Sequence, residues 1–396
     1  MKIAFLTAGG LAPCLSSSIG ALIKVYYSKV PDAEFIGYLN GYRGLLMGKS
    51  IVFPENVHKY GDTLMSFGGS FIGNSRVKLT NVENCVENGY IMEGESPVAV
   101  AAGQLKKDKV DILHTIGGDD TNTMAASLVQ YLSENNYGLS VVGLPKTVDN
   151  DVYPIAQSLG ADTASEQGAI FFENIANENT TSTRQMIIHE VMGRHCGWLT
   201  ATTAKKYHEL LDGKTFVDSL RISRDRWDID AIFLPEDDIN FEIECERLNK
   251  RMDEKDGVNI FLSEGAGIKT IVNEIEASGE KIRRDAFGHV RLDEINPGQW
   301  FAKQLKEKLN ADKVLVQKSG YFARSAAPNS FDLDLIKRSA SLASENALNG
   351  LSGVAGLDED NGNQMSLIDF NRIKGGKPFD TKKEWFQDLL INIGQK

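Results

Sequence analysis

Short apolar segments that run straight into glycine or proline turns limit what this chain can fold into more than any other feature of it. Residues 3–7 lead into Ala8-Gly9-Gly10 and residues 111–116 into Gly117-Gly118. Residues 140–144 lead into Pro145, which has no N–H to give a sheet ladder. Helical patterns lie between these segments. One covers 16–28. Another covers 124–134, where Met124, Leu128, Val129 and Leu132 fall on one side, with Thr121 or Thr123 as the expected N-cap. With residues 34–38 as a further strand, the alternation predicts an α/β fold: a mostly parallel sheet with helices on both faces. The second half continues in the same manner. Helices are expected over 162–174 and 241–254, and strands over 184–191, 230–234, 258–262 and 313–316. A helical stretch at 339–349 and a polar tail broken by Gly362-Asn363 and Gly375-Gly376-Lys377-Pro378 complete the chain. The charged run 274–284 reads as an exposed insertion.

Composition removes several classes of function. The 396 residues suffice for two large lobes with real cores, and 42% hydrophobic with 24% charged residues is ordinary for a soluble globular protein. A formal net charge of −11 argues against a broad nucleic-acid-binding surface. Cys14, Cys85, Cys196 and Cys245 are far apart with no Cys-x-x-Cys, which argues against a zinc site or a disulfide framework and fits the reducing cytoplasm. No apolar run approaches the roughly 18 residues of a membrane span, and the apolar start is too short for a signal peptide.

Ligands of such folds gather at the carboxyl ends of strands, and here those ends carry chemistry. Gly9-Gly10 before a helix is a phosphate cradle, or simply a turn that needs glycine. There is no Gly-x-Gly-x-x-Gly and no Walker lysine. The loop 68–76 ends a glycine- and serine-rich stretch with Arg76, a candidate anion clamp. Asp119 and Asp120 complement a helix N-terminus and could also hold Mg²⁺, a hard cation wanting oxygen ligands. Lys146, Thr147, Asp149 and Asp151 follow Pro145. In an extended backbone the two aspartates would point to one side, although Asn and Asp are also favoured in a plain turn. Met192-Gly193-Arg194 follows the 184–191 strand, with His195 read as structural. Glu264 and the segment Lys318 to Arg324 close two further strands. Carboxylates for metal and base, with cations for phosphate, are the parts needed for phosphoryl transfer.

Gly-Gly-Asp-Asp-Thr at 117–121, Pro-Lys-Thr-Val-Asp-Asn-Asp at 145–151, Met-Gly-Arg at 192–194, Ser-Glu-Gly at 263–265 and Tyr-Phe-Ala-Arg at 321–324 together resemble the phosphofructokinase family. The resemblance implies two doubly wound lobes with the active site in the cleft between them. The donor-binding lobe would hold 1–144 plus about 326–396, and the sugar-phosphate lobe 145–325. It implies Asp149 as the base for the 1-hydroxyl of fructose 6-phosphate, with Thr147 and Asp151 beside it. Asp119 would hold Mg²⁺, Gly10 would contact the donor phosphates and Arg76 would stabilise the group in flight. Met192, Gly193, Arg194, Glu264, Tyr321 and Arg324 would line the sugar-phosphate pocket. Asp120 and Lys146 stand where ATP-using members generally have glycine, so the chain looks like the pyrophosphate-dependent branch. The alternatives are an ATP-dependent enzyme and a non-catalytic sugar-phosphate-binding regulatory subunit. A homodimer or homotetramer is implied, without nucleic-acid or membrane partners.

Several positions depart from the common pattern. The first turn reads Gly-Gly-Leu-Ala-Pro-Cys-Leu-Ser, Ser325-Ala326-Ala327-Pro328 follows Arg324, and Leu333 stands where an arginine is frequent. The family often takes an arginine from a neighbouring subunit just upstream of Met-Gly-Arg. Arg184 and Gln185 both lie near that place, and Lys318 is a candidate substitute for an arginine of other members.

Overall fold

The computed structural model describes residues 1–277, 279 and 295–396. Most of the run 274–284 lies outside the described residues, and its first part closes the helix Ile268–Ala277. The chain forms two compact units. One comprises Met1–Ala164 with Arg324–Lys377, the other Ser165–Ala323 with Pro378–Lys396.

The first unit is built on strands β1 (Lys2–Thr7), β2 (Glu34–Tyr38), β3 (Ser50–Val52), β4 (Ile112–Gly117), β5 (Ser140–Pro145), β10 (Gly353–Asp358) and β11 (Gln364–Ile368). Their order is β11-β10-β5-β4-β1-β2-β3. The five inner strands are parallel, and β3 and β11 close the two edges antiparallel. All residues of β4 and β5 are buried, as expected for strands covered on both faces. Even the polar His114 in β4 is accommodated. Its Nδ1 lies 3.1 Å from the Val142 carbonyl and its Nε2 2.7 Å from the Tyr26 hydroxyl, and burial pushes its pKa down to about 4. The neutral ring therefore donates from Nδ1 and accepts at Nε2. The chain leaves β1 towards β2 on one side and returns as β4 on the other, so the strand order reverses between β1 and β4, where such folds bind ligands.

The expected polar tail is in fact structured. Residues 353–368 form the hairpin β10–β11, which extends the sheet from β5. The helix before it runs over Ser330–Leu348, longer than its apolar pattern, and starts at Asn329, whose side chain accepts from the Asp332 N–H. Residues 146–164 belong to this unit through backbone bonds such as Ala156 N–H to Leu357 O and Glu359 N–H to Pro154 O.

The second unit has four parallel strands in the order β7-β8-β6-β9: β6 (Gln185–Val191), β7 (Ala231–Phe233), β8 (Gly257–Ser263) and β9 (Lys313–Lys318). Its core includes Met186, Ile188, Phe233, Ile260 and Phe301, side chains worth about 1.5–3 kcal/mol each on burial. The C-terminal helix Glu384–Asn392 delivers Gln395 to the edge strand β7. There its side chain bonds both the N–H (2.8 Å) and the carbonyl (3.0 Å) of Ile232, covering groups that an edge leaves open. Among the described residues, no helix is long and apolar enough to cross a membrane.

Candidate active site

In the first unit, the ends of β1, β4 and β5 converge on Lys146. This side chain is 3% exposed, and its ammonium bonds the Gly10 carbonyl at the first turn. Burial pulls its pKa down to about 8 and Arg76 adds to the effect, while Cys14, Asp149 and Asp151 act in the opposite direction. One buried cation thus senses the first turn, the arginine loop and both aspartates of the 145–151 segment. The loop carrying Arg76 is laid along the first turn, with Gly9 N–H to Ser75 O at 2.9 Å and Asn74 Nδ2 to Gly9 O at 2.5 Å.

The helix after β4 starts at Asp119, earlier than expected, with the extended Gly118 as N-cap; neither Thr121 nor Thr123 caps it. Both aspartates therefore occupy the first helical turn, where the dipole favours them. Thr121 is buried instead, packed where a side chain on Gly117 would stand. Burial raises the pKa of Asp119 and the charges of Asp120 and Asp151 push the same way, while the Asp120 N–H and Lys78 oppose the rise. Asp120 is paired with Lys78, 2.6 Å away and partly exposed. Nothing in the sequence singles out Lys78 beyond its place two residues after Arg76.

The segment after Pro145 is not extended. Asn150 takes φ 52, the left-handed region, and staples the turn: its amide donates to the Ala156 carbonyl and its Oδ1 accepts from the Ser158 N–H at 2.7 Å. The Thr147 hydroxyl donates to Asp151 Oδ1 at 3.0 Å and accepts from the Asp149 N–H at 3.2 Å. A turn rather than a strand therefore holds the two carboxylates. Asp332 is a further buried carboxylate outside the sequence-derived set. It accepts from the N–H groups of Gly160 (3.0 Å) and Thr163 (2.8 Å) and so caps the start of the helix Ala161–Ile175. Arg324, at the end of the short helix Gly320–Arg324, is partly buried.

The second unit carries its own cluster at the ends of β6 and β8. Gly193 takes φ 130; its carbonyl accepts from the Ser263 hydroxyl and its N–H meets Glu264 Oε1 at 3.4 Å. Gly265 has no room for a side chain against the Arg194 carbonyl. Burial raises the Glu264 pKa, and the Gly193 N–H, Arg194 and Lys318 restrain the rise. Met192 packs where a side chain on Gly320 would stand. Tyr321 is 80% exposed and His195 is also exposed. Lys318 is paired with the buried Glu190 at 2.7 Å and bonds Asn296. Arg184 takes φ 42 just before β6, which begins at Gln185. It binds Asp253 at 2.6 Å and the Leu309 carbonyl in its own chain, and Gln185 is buried.

The residues at the first-unit strand ends suit a divalent cation. They offer carboxylate oxygens, and the burial of Asp119 beside the charges of Asp120 and Asp151 is what a cation relieves. Among the described residues, no cluster of three or more His, Cys, Asp or Glu side chains forms a complete metal cage.

Known proteins bear on this arrangement. The chain is 57% identical over 394 residues to the pyrophosphate–fructose 6-phosphate 1-phosphotransferase of Methylomonas methanica, covering 100% of this chain and 96% of that one. It is 53% identical to the protein of the same name from Propionibacterium freudenreichii, covering 100% and 98%. The crystal structure of a pyrophosphate-dependent phosphofructokinase from Marinobacter aquaeolei superposes with a TM-score of 0.70 at 19% identity, covering 98% of this chain and 91% of the other, which establishes the likeness of fold. The family model for phosphofructokinase matches residues 2–346. The chain is a member of the phosphofructokinase family.

Proposed function

We propose that this chain transfers a phosphoryl group from pyrophosphate to the 1-hydroxyl of fructose 6-phosphate, reversibly and with Mg²⁺, in cytoplasmic glycolysis. The observation that carries the donor assignment is the burial of Lys146 against the Gly10 carbonyl, within the field of Arg76, Asp149 and Asp151. A lysine held there meets a compact inorganic anion. Asp149 takes the proton of the 1-hydroxyl as its oxygen bonds to the transferred phosphorus. The bridging oxygen–phosphorus bond of the donor breaks, and phosphate leaves. Thr147 and Asp151 hold the turn that presents Asp149. Lys146 and Arg76 neutralise charge on the phosphoryl group and the departing phosphate, a role that preorganised cations fill well in a dry site. Asp119 holds Mg²⁺, which supplies charge neutralisation on the donor. Gly10 offers backbone to the donor phosphates. Met192, Gly193, Arg194, Glu264 and Tyr321 contact the sugar phosphate, and Arg324 its 6-phosphate. The active form is a homodimer or homotetramer. Arg184 bonds Asp253 and the Leu309 carbonyl within its own chain, which counts against its being the arginine lent to a neighbour.

Asp120 excludes nucleotides, and Lys78 changes how it does so. The ion pair offsets much of its charge, so rejection rests on bulk more than on repulsion. The test is a coupled assay with pyrophosphate and with ATP on the parent, Asp120→Gly, Lys146→Gly and the double variant. Lys146→Gly should lower pyrophosphate turnover about 10²–10³-fold, the usual effect of losing one preorganised stabilising group. Asp120→Gly should admit ATP, and the double variant alone should prefer it, a non-additive pattern expected of neighbours. ATP activity at background in Asp120→Gly, together with intact pyrophosphate turnover in Lys146→Gly, would sink the donor assignment.

A further inference from the structure

The family model ends at residue 346, yet part of the candidate site's support comes from beyond it. After β11 the chain passes through the buried Phe370 and Ile373 and then runs back along the 151–155 segment. Lys374 and Tyr153 exchange backbone bonds in both directions, at 2.9 and 2.8 Å. The Lys377 N–H donates to the Asp151 carbonyl at 2.9 Å. Its ammonium bonds the Ile155 carbonyl at 2.6 Å and Glu359 at 2.9 Å. Arg372 braces the same place, binding both Asp358 oxygens at 2.8 Å, while the Tyr153 hydroxyl bonds Asp360 at 2.8 Å. The stretch between Lys374 and Lys377 is therefore fixed at both ends to the loop that follows Asp149.

Gly375 lies in the middle of this strap, flush against Asp119. A Cβ there would collide with the carboxylate Oδ2, and the next nearest atoms are the rest of the same side chain. Gly376 is glycine for a different reason, its φ of 76. Asp119 projects from the end of β4 and the 149–151 turn from the end of β5, so the strap joins two strand ends by a route distant in sequence.

We propose that Lys374–Lys377 is a positioning element of the donor site, and that Gly375 sets the orientation in which Asp119 meets the metal. The inference rests on Asp119 being the metal carboxylate. A neighbour that fixes a metal-binding carboxylate typically changes metal affinity by about 10–100-fold when altered. Gly375→Ala adds a methyl group where the carboxylate stands and forces it to turn.

The test measures Mn²⁺ binding by electron paramagnetic resonance, with methylenediphosphonate as a donor that cannot react, on the full-length parent, Gly375→Ala, Lys377→Met and Asp119→Asn. Gly375→Ala should weaken Mn²⁺ binding about tenfold or more, while the KM for fructose 6-phosphate stays within about twofold. Lys377→Met leaves Gly375 in place but loosens one end of the strap, so it should shift Mn²⁺ affinity in the same direction by less. It also carries the test should Gly375→Ala not fold. Parent-like Mn²⁺ affinity in the strap variants, with affinity lost in Asp119→Asn, would overturn the role of the strap. Parent-like affinity in Asp119→Asn would overturn the metal assignment itself.

Discussion

Replacing Lys146 with Met should make the protein more stable and the enzyme far worse. The side chain is 3% exposed, and its pKa falls from 10.5 to about 8, chiefly through burial. That drop corresponds to about 3 kcal/mol of unfavourable charge burial at neutral pH. Met has a similar unbranched shape and needs no solvation. The bond to Gly10 is lost, worth about 1.5–3 kcal/mol for a charged donor, but the partly exposed Gly10 carbonyl can turn to water and recover part of it. The net expectation at pH 7 is a gain of about 1–2 kcal/mol, in line with other buried charges replaced by apolar groups. The pH dependence follows from the same shift. A lysine whose folded pKa is depressed burdens the native state fully below pH 8. Between pH 8 and 10.5 the unfolded chain holds more protons than the native one, so stability rises with pH there. The Met variant lacks that rise, and its advantage should fade across this range. All four tryptophans, Trp198, Trp227, Trp300 and Trp385, lie in the second unit. Urea unfolding is therefore followed by circular dichroism, at pH 7 and near pH 10, with pyrophosphate turnover measured on the same preparations. A variant less stable than the parent at pH 7, or an advantage unchanged near pH 10, would refute the argument.

The same lysine should shape activity: kcat/KM for pyrophosphate should decline as pH rises through about 8, where the free enzyme's Lys146 loses its proton. Lys146→Arg, which does not titrate there, should lack that limb, and a limb of equal size in that variant would assign it elsewhere. Asp149→Ala should lower kcat by about 10²–10⁴, the usual effect of losing a positioned general base, with little change in sugar-phosphate affinity; retained turnover would show that another group is the base. Arg324→Ala should raise the KM for fructose 6-phosphate by about one to two orders of magnitude, from roughly 1.5–3 kcal/mol per charge-assisted bond. An unchanged KM would place the 6-phosphate elsewhere.

The strand ends were legible because each combines a buried apolar run with a turn residue, and that local signal survives folding. β1, β4, β5, β6 and β8 all lie within a residue of their expected limits. The helix start at Asp119 was not legible, because Gly118 caps it through backbone conformation and leaves no side-chain signature. The turn at Asn150 was one of two readings, since Asp-Asn-Asp fits a strand end and a left-handed turn equally well. The C-terminal hairpin was missed because β11 is short and mostly exposed or half-buried, so its brief alternation does not stand out from the polar tail around it. Gly375-Gly376 reads locally as a plain break. The reason for its first glycine is Asp119, more than two hundred positions earlier, and contacts of that kind leave no periodicity to find.

The charges at the first-unit strand ends also explain why a carboxylate-rich corner is compatible with a polyanionic donor. Asp119, Asp120, Asp149 and Asp151 stand there against Arg76, Lys78 and Lys146, so the balance is slightly negative before the donor arrives. Lys78 is already taken by Asp120, and Lys146 rests on the Gly10 carbonyl. The pKa of Asp119 is raised by burial and by the charges of Asp120 and Asp151, against the Asp120 N–H and Lys78, which lower it. On the metal assignment proposed above, a divalent cation at Asp119 would reverse the sign of this corner. The orientation of that carboxylate would then decide whether the cation faces the donor, and a side chain on Gly375 would collide with that carboxylate, so a glycine without catalytic chemistry of its own would matter to the site.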